Sequence, residues 1–199
     1  MSNWCDNYIE ISGTKENMKP LYDFFTEHSE KETLVMNTLI PHDDEYKKIE
    51  ESKNFLLNPQ VTFYGTKWDF GANEANVILA SEDCITIAPQ TAWSPPVEFC
   101  KRLRNRYGVE VAISFEEPGV GFIGKHVYYP DGDEDIIEYD DIMFGYYELN
   151  KDRFWEELEY NMEYYKNEEE LSLESIKTKF EYLNEKELKE LETIYNEEY

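Results

Sequence analysis

The chain has 199 residues, with 44 acidic side chains against 19 Lys and Arg, for a formal charge of -25. That balance excludes a sequence-general phosphate binder, which would need clustered Lys and Arg. At 41% apolar and 16% aromatic residues the chain can bury a core, so wholesale disorder is excluded as well.

In chain order, Asn7, Ile9 and Ile11 alternate with Tyr8, Glu10 and Ser12, the period of a half-buried strand. Gly13 and Thr14 break it. Met18, Leu21, Phe24, Phe25 and His28 then recur at helical intervals, and Pro20 is tolerable only in a first turn, so a helix is expected from about residues 15–17. Residues 31–73 read as an insertion. Within it Leu39-Ile40-Pro41 is expected to be extended, Asp44–Leu57 a polar helix and Val61–Trp68 a short aromatic strand.

Ala75–Ala80 and Cys84–Ala88 read as two strands joined by Ser81-Glu82-Asp83. Ser94 reads as an N-cap with Pro95 at the first helical position, followed by the stripe Phe99, Cys100, Leu103 and Tyr107 and a stop at Gly108. Val109, Val111, Ile113 and Phe115 alternate strictly with Glu110, Ala112, Ser114 and Glu116, a further strand. Strand, helix, strand, strand, helix, strand is the ferredoxin-like split βαβ order. A hairpin, Phe122–Tyr129 with Asp135–Tyr139, follows around Pro130-Asp131-Gly132-Asp133.

Beyond Asn150 the period is helical throughout. The stripes are Trp155, Leu158, Met162 and Tyr165; then Leu173, Ile176, Phe180 and Leu183; then Leu188, Leu191 and Ile194 or Tyr195 behind Asn184 as N-cap with Glu187. The expected class is therefore α+β: a ferredoxin-like βαββαβ domain over residues 1–144, with a hairpin added, and an acidic helical appendage over 145–199.

Residues 131–199 carry 24 acidic and 7 basic side chains, about two thirds of the excess charge, together with 13 aromatics. An ordered surface this negative repels itself. Either another macromolecule reads it, or it reflects general acidity for solubility or an origin in high salt.

Few chemical constellations survive inspection. Asp131, Asp133 and Asp135 are spaced like the start of a calcium loop, but Ile136 and Ile142 stand where that loop needs Gly and Glu. His28, His42 and His126 lack partners at metal-binding spacing, and no phosphate-binding glycine loop or nucleophile elbow occurs, so no catalytic residue, metal or cofactor is expected. Glu116-Glu117 read as a chance pair. Lys101, Arg102, Arg104 and Arg106 read as a solvated helix face bridging to the acidic appendage, in preference to a nucleic-acid patch. The three scattered cysteines, Cys5, Cys84 and Cys100, fit a reduced, cytoplasmic setting, and neither a membrane span nor a signal peptide is expected.

Four segments, Asn3-Trp4-Cys5-Asp6-Asn7, Gly65-Thr66-Lys67-Trp68-Asp69, Thr91-Ala92-Trp93-Ser94-Pro95-Pro96 and Glu117-Pro118-Gly119-Val120-Gly121-Phe122, together resemble the YubB ferredoxin-like domain family. The resemblance covers roughly residues 1–140 and leaves 145–199 outside. It implies a protein of plasmids, phages or genomic islands, no iron–sulfur cluster and no established catalytic residues. Trp68 and Trp93 are expected to cap one end of the sheet, and the glycines at 119 and 121 to allow a tight bend.

Charge and resemblance lead to one functional expectation. The chain is read as a non-catalytic, acidic mobile-element protein acting in the host cytoplasm. It would inhibit a host nucleic-acid-binding defence complex by nucleic-acid mimicry, in the anti-CRISPR or anti-restriction manner. The expected partner is a host protein with a basic nucleic-acid-binding groove, with no direct nucleic acid and no membrane. Its expected contacts are Asp131, Asp133, Glu134, Asp135, Glu138, Glu156, Glu157, Glu163, Glu168, Glu169 and Glu170, with Tyr160, Tyr164 and Tyr199 as anchors. The alternatives are a small enzyme with a site near the 31–73 insertion, using Trp68 and Asp69, or a structural or oligomerisation module.

Overall fold

The computed structural model describes residues 3–52, 58–167 and 172–196. The chain forms two compact units, Met1–Ile142 and Met143–Tyr199.

The first unit is the ferredoxin-like domain. Strand β1 (Trp4–Ser12) leads into helix α1 (Lys15–His28), which Thr14 caps by accepting the Asn17 amide. The insertion supplies α2 (Val35–Leu39), α3 (Asp44–Glu51), α4 (Pro59–Tyr64) and a 3-10 turn at Ala72–Glu74. Strands β2 (Val77–Ala80), β3 (Cys84–Ile87) and β4 (Gln90–Ala92) precede α5 (Val97–Tyr107) and β5 (Glu110–Glu117). The hairpin β6 (Phe122–Tyr128) and β7 (Glu134–Tyr139) extends the sheet. Strand order is β2-β3-β1-β5-β6-β7, with β4 also pairing β1, and each pairing is antiparallel.

Register places Ile9 opposite Ile87 and Ile113, and Ile11 opposite Ile85 and Val111, so one face carries an apolar band. Met18, Leu21 and Phe25 of α1 and Phe99, Cys100 and Leu103 of α5 cover it. Val35, Met36, Phe63, Tyr64 and Phe70 of the insertion join the same buried cluster. The opposite face of β1 presents Trp4, Asp6, Tyr8 and Glu10 to solvent.

Three local expectations change. Val61–Trp68 is not a strand: residues 59–64 are helical. Asn58 accepts the Gln60 and Val61 amides, Pro59 opens the helix and left-handed Gly65 (φ 93) closes it. End signals thereby outweigh the strand preference of Val61, Thr62, Phe63 and Tyr64. Next, α5 begins at Val97, without a side-chain cap, and Ser94 Oγ donates instead to the Gly65 carbonyl at 2.6 Å. In the insertion, α3 ends at Glu51, and residues 53–57 of the longer helix expected there lie outside the described residues. Ile40 does leave the helical region, at φ -127 and ψ 78, but Leu39 ends α2.

The second unit is helical: α6 (Ile142–Leu149) starts at the boundary, followed by α7 (Lys151–Asn167), α8 (Leu173–Lys179) and α9 (Glu185–Asn196). Phe154, Leu158, Met162 and Tyr165 of α7 are buried with Ile176, Phe180, Leu183 and Leu191. Asn184 and Glu187 form the expected reciprocal cap. Burial pushes the Glu187 carboxyl up, but Lys151, the Asn184 amide and Tyr147 together hold it below the ordinary carboxylate range. Among the described residues no helix is long and apolar enough to cross a membrane.

Candidate functional site

The acidic residues singled out by charge fall into distinct environments. In the hairpin, Asp131 accepts the Asp133 amide at 3.1 Å and Gly132 is left-handed at φ 104, so these acids shape a turn. Glu134 and Glu138 lie on one face of β7. Glu134 is paired with Arg104 at 3.1 Å and Lys101 at 3.6 Å, and Glu138 with His126 at 2.8 Å. Asp135, on the other face, accepts the Tyr129 hydroxyl at 2.8 Å.

A carboxylate only accepts, so Nε2 of His126 carries the proton and Nδ1 accepts from the Tyr128 hydroxyl at 2.7 Å. On α5, Lys101, Arg102 and Arg104 are paired inside the first unit and Arg104 is buried, so these three are not the solvated face expected; Arg106 is exposed. Arg102 makes paired bonds to Glu45 at 2.9 and 3.0 Å, with its guanidinium 3.8 Å from the Phe63 ring centre.

In the second unit, Glu156 and Glu157 lie 3.9 and 2.8 Å from Arg153. Tyr160 and Tyr164 are 83% and 52% exposed. The buried stripe at 154, 158, 162 and 165 turns Asp152, Glu156 and Glu159 outward along one row. The Glu163 side chain, Glu168, Glu169, Glu170 and Tyr199 lie outside the described residues.

The four motifs, distant in sequence, converge at one end of the sheet. Trp93 N–H donates to the Asn3 carbonyl at 2.9 Å, and the Ala92 carbonyl accepts from Thr66 Oγ1 at 2.9 Å. A Cβ on Gly119 would stand 3.5 Å from the Asn3 side chain, and Gly121 (φ 95) turns the chain there. Glu117 bends into that turn and accepts the Val120 amide, while Glu116 lies on the opposite face of β5, so the two are not a carboxylate pair. Burial and the carboxylates of Asp6, Glu117 and Glu116 raise the Cys5 thiol to about 12.

Trp4, Trp68 and Trp93 do not plug the sheet end as buried caps. They stand 48%, 46% and 48% exposed. Trp4 packs on Trp68 at 6.1 Å between ring centres, and the Lys67 ammonium lies 3.8 Å from the Trp93 ring centre and 4.9 Å from that of Trp68. Trp93 has φ 75, an uncommon conformation for a bulky residue. Beside the cluster opens a cleft of about 550 Å³ lined by Trp4, Asp6, Asn7, Glu74, Asn76 and Gln90.

Residues 63–159 match the family model for the ferredoxin-like domain in Api92-like protein. The crystal structure of protein api92 from Yersinia pseudotuberculosis is similar to this chain at 10% identity and a TM-score of 0.45, over 70% of this chain and 98% of that one. No curated protein matches the chain.

The matched ferredoxin-like segment begins at Phe63, past β1, and runs into α7, so it extends beyond the roughly residue-140 limit of the YubB resemblance. It bears out the ferredoxin-like assignment; the YubB resemblance rests on the four motifs alone. The segment contains Lys67, Trp68, Gln90 and Trp93, whereas Trp4 and Asp6 come from β1 outside it.

Trp68 and Asp69 do not share a cleft chemistry. Asp69 accepts the amides of Met36, Asn37 and Phe70 at 2.8 Å each and so caps α2. Burial raises its carboxyl, against those three amides. The cleft residues Glu74, Asn76 and Gln90 escape sequence reasoning because they lie in a turn, a linker and a short strand, without periodicity. Asn76 at φ 48, an asparagine in left-handed backbone beside a strand, is visible only in the fold.

Proposed function

We propose that this chain is a non-catalytic binding protein whose acidic helical surface occupies a basic nucleic-acid-binding groove on another protein, as an anti-CRISPR or anti-restriction inhibitor would. The observation that carries this reading is the outward face of α7, where Asp152, Glu156 and Glu159 stand beside exposed Tyr160 and Tyr164. Residues three and four apart on a helix are about 5–6 Å from one another at Cβ, a repeated spacing of negative charge that basic side chains can pair with. Tyrosine adds amphipathic contact area at low entropic cost.

Internal pairing leaves this surface negative. Residues 143–199 hold 17 acidic and 7 basic side chains. Of the basic ones, Lys151, Arg153 and Lys177 are paired with Glu187, Glu157 and Glu192, while Lys166 and Lys179 lie over tyrosine rings. The excess carboxylates steer a cationic partner from a distance and repel nucleic acid itself. The anti-defence role draws its support from the four-motif resemblance to mobile-element proteins.

Affinity capture from host lysate with the full chain, at low salt, tests this. The expected catch is a nucleic-acid-binding protein that heparin displaces, whose association slows about tenfold between ~0.05 and ~0.5 M salt. Asp152→Lys, Glu156→Lys and Glu159→Lys together abolish capture. Recovery of no such protein, or capture indifferent to the three reversals, overturns the proposal.

A further inference from the structure

We propose that the cleft beside the tryptophans is a guanidinium site, which takes an arginine side chain presented by a partner protein. The residues lining the cleft include two carboxylate-bearing ones, Asp6 and Glu74, three carboxamide-bearing ones, Asn7, Asn76 and Gln90, and one aromatic, Trp4. Among the described residues no Lys or Arg lines it.

Each carboxylate is only partly used. Asp6 Oδ1 accepts Gln90 Nε2 at 2.7 Å, and Glu74 Oε2 accepts the Gly71 amide at 3.1 Å. Their second oxygens make no hydrogen bond, and neither residue an ion pair, among the described residues. Two uncompensated negative groups reject anions and select a cation.

The indole narrows the choice among cations. A guanidinium is planar and weakly hydrated, stacks on an aromatic face and binds carboxylates through paired N–H donors; an ammonium is a strongly hydrated point charge. The chain already makes this combination elsewhere: the Arg102 guanidinium lies over Phe63 and is bonded twice to Glu45. At the cleft the aromatic wall and the carboxylates are present without the guanidinium. Lys67 occupies faces of Trp93 and Trp68, and Trp4 is the tryptophan that lines the cleft.

The backbone around the site is held in uncommon conformations. Among the described non-glycine residues, positive φ occurs at Asn76, which lines the cleft, and at Trp93, in the adjoining cluster. Such conformations persist where the surrounding structure fixes them, and they concentrate at ligand sites. The site belongs to the first unit and does not depend on α7 being an interface.

The test uses the full chain and acetyl-Gly-Arg-Gly-amide, with tryptophan indole and side-chain amide resonances as the readout. The expected result is a saturable shift of the Trp4 indole and of the Asn76 and Gln90 carboxamides. Affinity should fall about fivefold in Asp6→Asn, and likewise in Glu74→Gln. Glu190→Gln, in the second unit and not among the cleft's lining residues, should leave it unchanged. The citrulline peptide, isosteric but neutral, should not bind, and the lysine peptide should bind more weakly. Equal binding of the citrulline peptide or of methyl glucoside would reassign the cleft to neutral polar ligands. Arginine binding unaffected by Asp6→Asn or Glu74→Gln, in variants whose amide spectra show the native fold, would overturn the site.

Discussion

His126 stands between two opposing influences. Burial under Phe115 and Tyr128 lowers its pKa, while Glu138 and, more remotely, Glu134 raise it; Lys101 acts with burial. Burial wins, so the folded protein holds this imidazole neutral below the ordinary histidine range. The folded state thus releases a proton that the unfolded chain binds below about pH 6.5. Stability from this residue is fully present above that pH and is lost as pH falls towards the folded pKa. Thermal melts between about pH 5 and 7.5 should show Tm falling with acid, with a shallower slope in His126→Gln. An unchanged slope would mean that the carboxylates near His126, not the imidazole, govern the acid limb. None of this is legible in the sequence, where His126 is an isolated histidine: its partners Tyr128 and Glu138 meet it only through strand alternation and the β6–β7 register.

At the scale of elements, legibility follows from where the deciding interactions lie. Strand β5 and helix α1 carry complete periodic signals, and both form where expected. Helix α4 reads as a strand because Val61, Thr62, Phe63 and Tyr64 favour one, while its end signals lie at Asn58 and Gly65. Strand β4 is three residues long and exists by pairing with β1, a partner more than 80 positions away, so local pattern cannot reveal it. On α7 the expected stripe begins at Trp155, yet Phe154 is the buried residue, a one-position difference that only packing resolves. The end signals of α4 carry measurable free energy. Gly65 is left-handed at φ 93, and a Cβ there would stand 2.8 Å from the Pro95 carbonyl and 2.9 Å from the Val97 nitrogen. Gly65→Ala should therefore cost about 2 kcal/mol or more in urea denaturation. Asn58→Ala, which removes the cap at the other end, should cost about 1 kcal/mol. If Gly65→Ala proved the milder change, local relaxation would be absorbing both the strain and the backbone collision.

Across the whole molecule, the charge sets the balance between internal pairing and self-repulsion. Exposed pairs such as Lys15–Glu82, Lys19–Asp23 and Lys47–Asp44 contribute little and are screened by salt. A net charge of -25 repels itself in the folded state, and unfolding relieves the repulsion by spreading the charge. Salt screens both effects, with a Debye length that shortens from about 30 Å at 0.01 M to about 3 Å at 1 M. With 44 acidic side chains against 19 Lys and Arg, like-charge repulsion exceeds what pairing can offset, so screening should remove more repulsion than attraction. Tm should then rise as NaCl increases from ~0.01 to ~0.5 M, by a few degrees for ~1 kcal/mol of relieved repulsion in a chain of this size. Charge neutralisation at Asp152→Asn, Glu156→Gln and Glu159→Gln should raise Tm at low salt and reduce its dependence on salt, because it removes the outward row of α7. A Tm that fell with salt would mean that attraction within the fold outweighs repulsion among the carboxylates. The acidic row would then be part of what holds the helices together, and its availability to a partner would lose its physical basis.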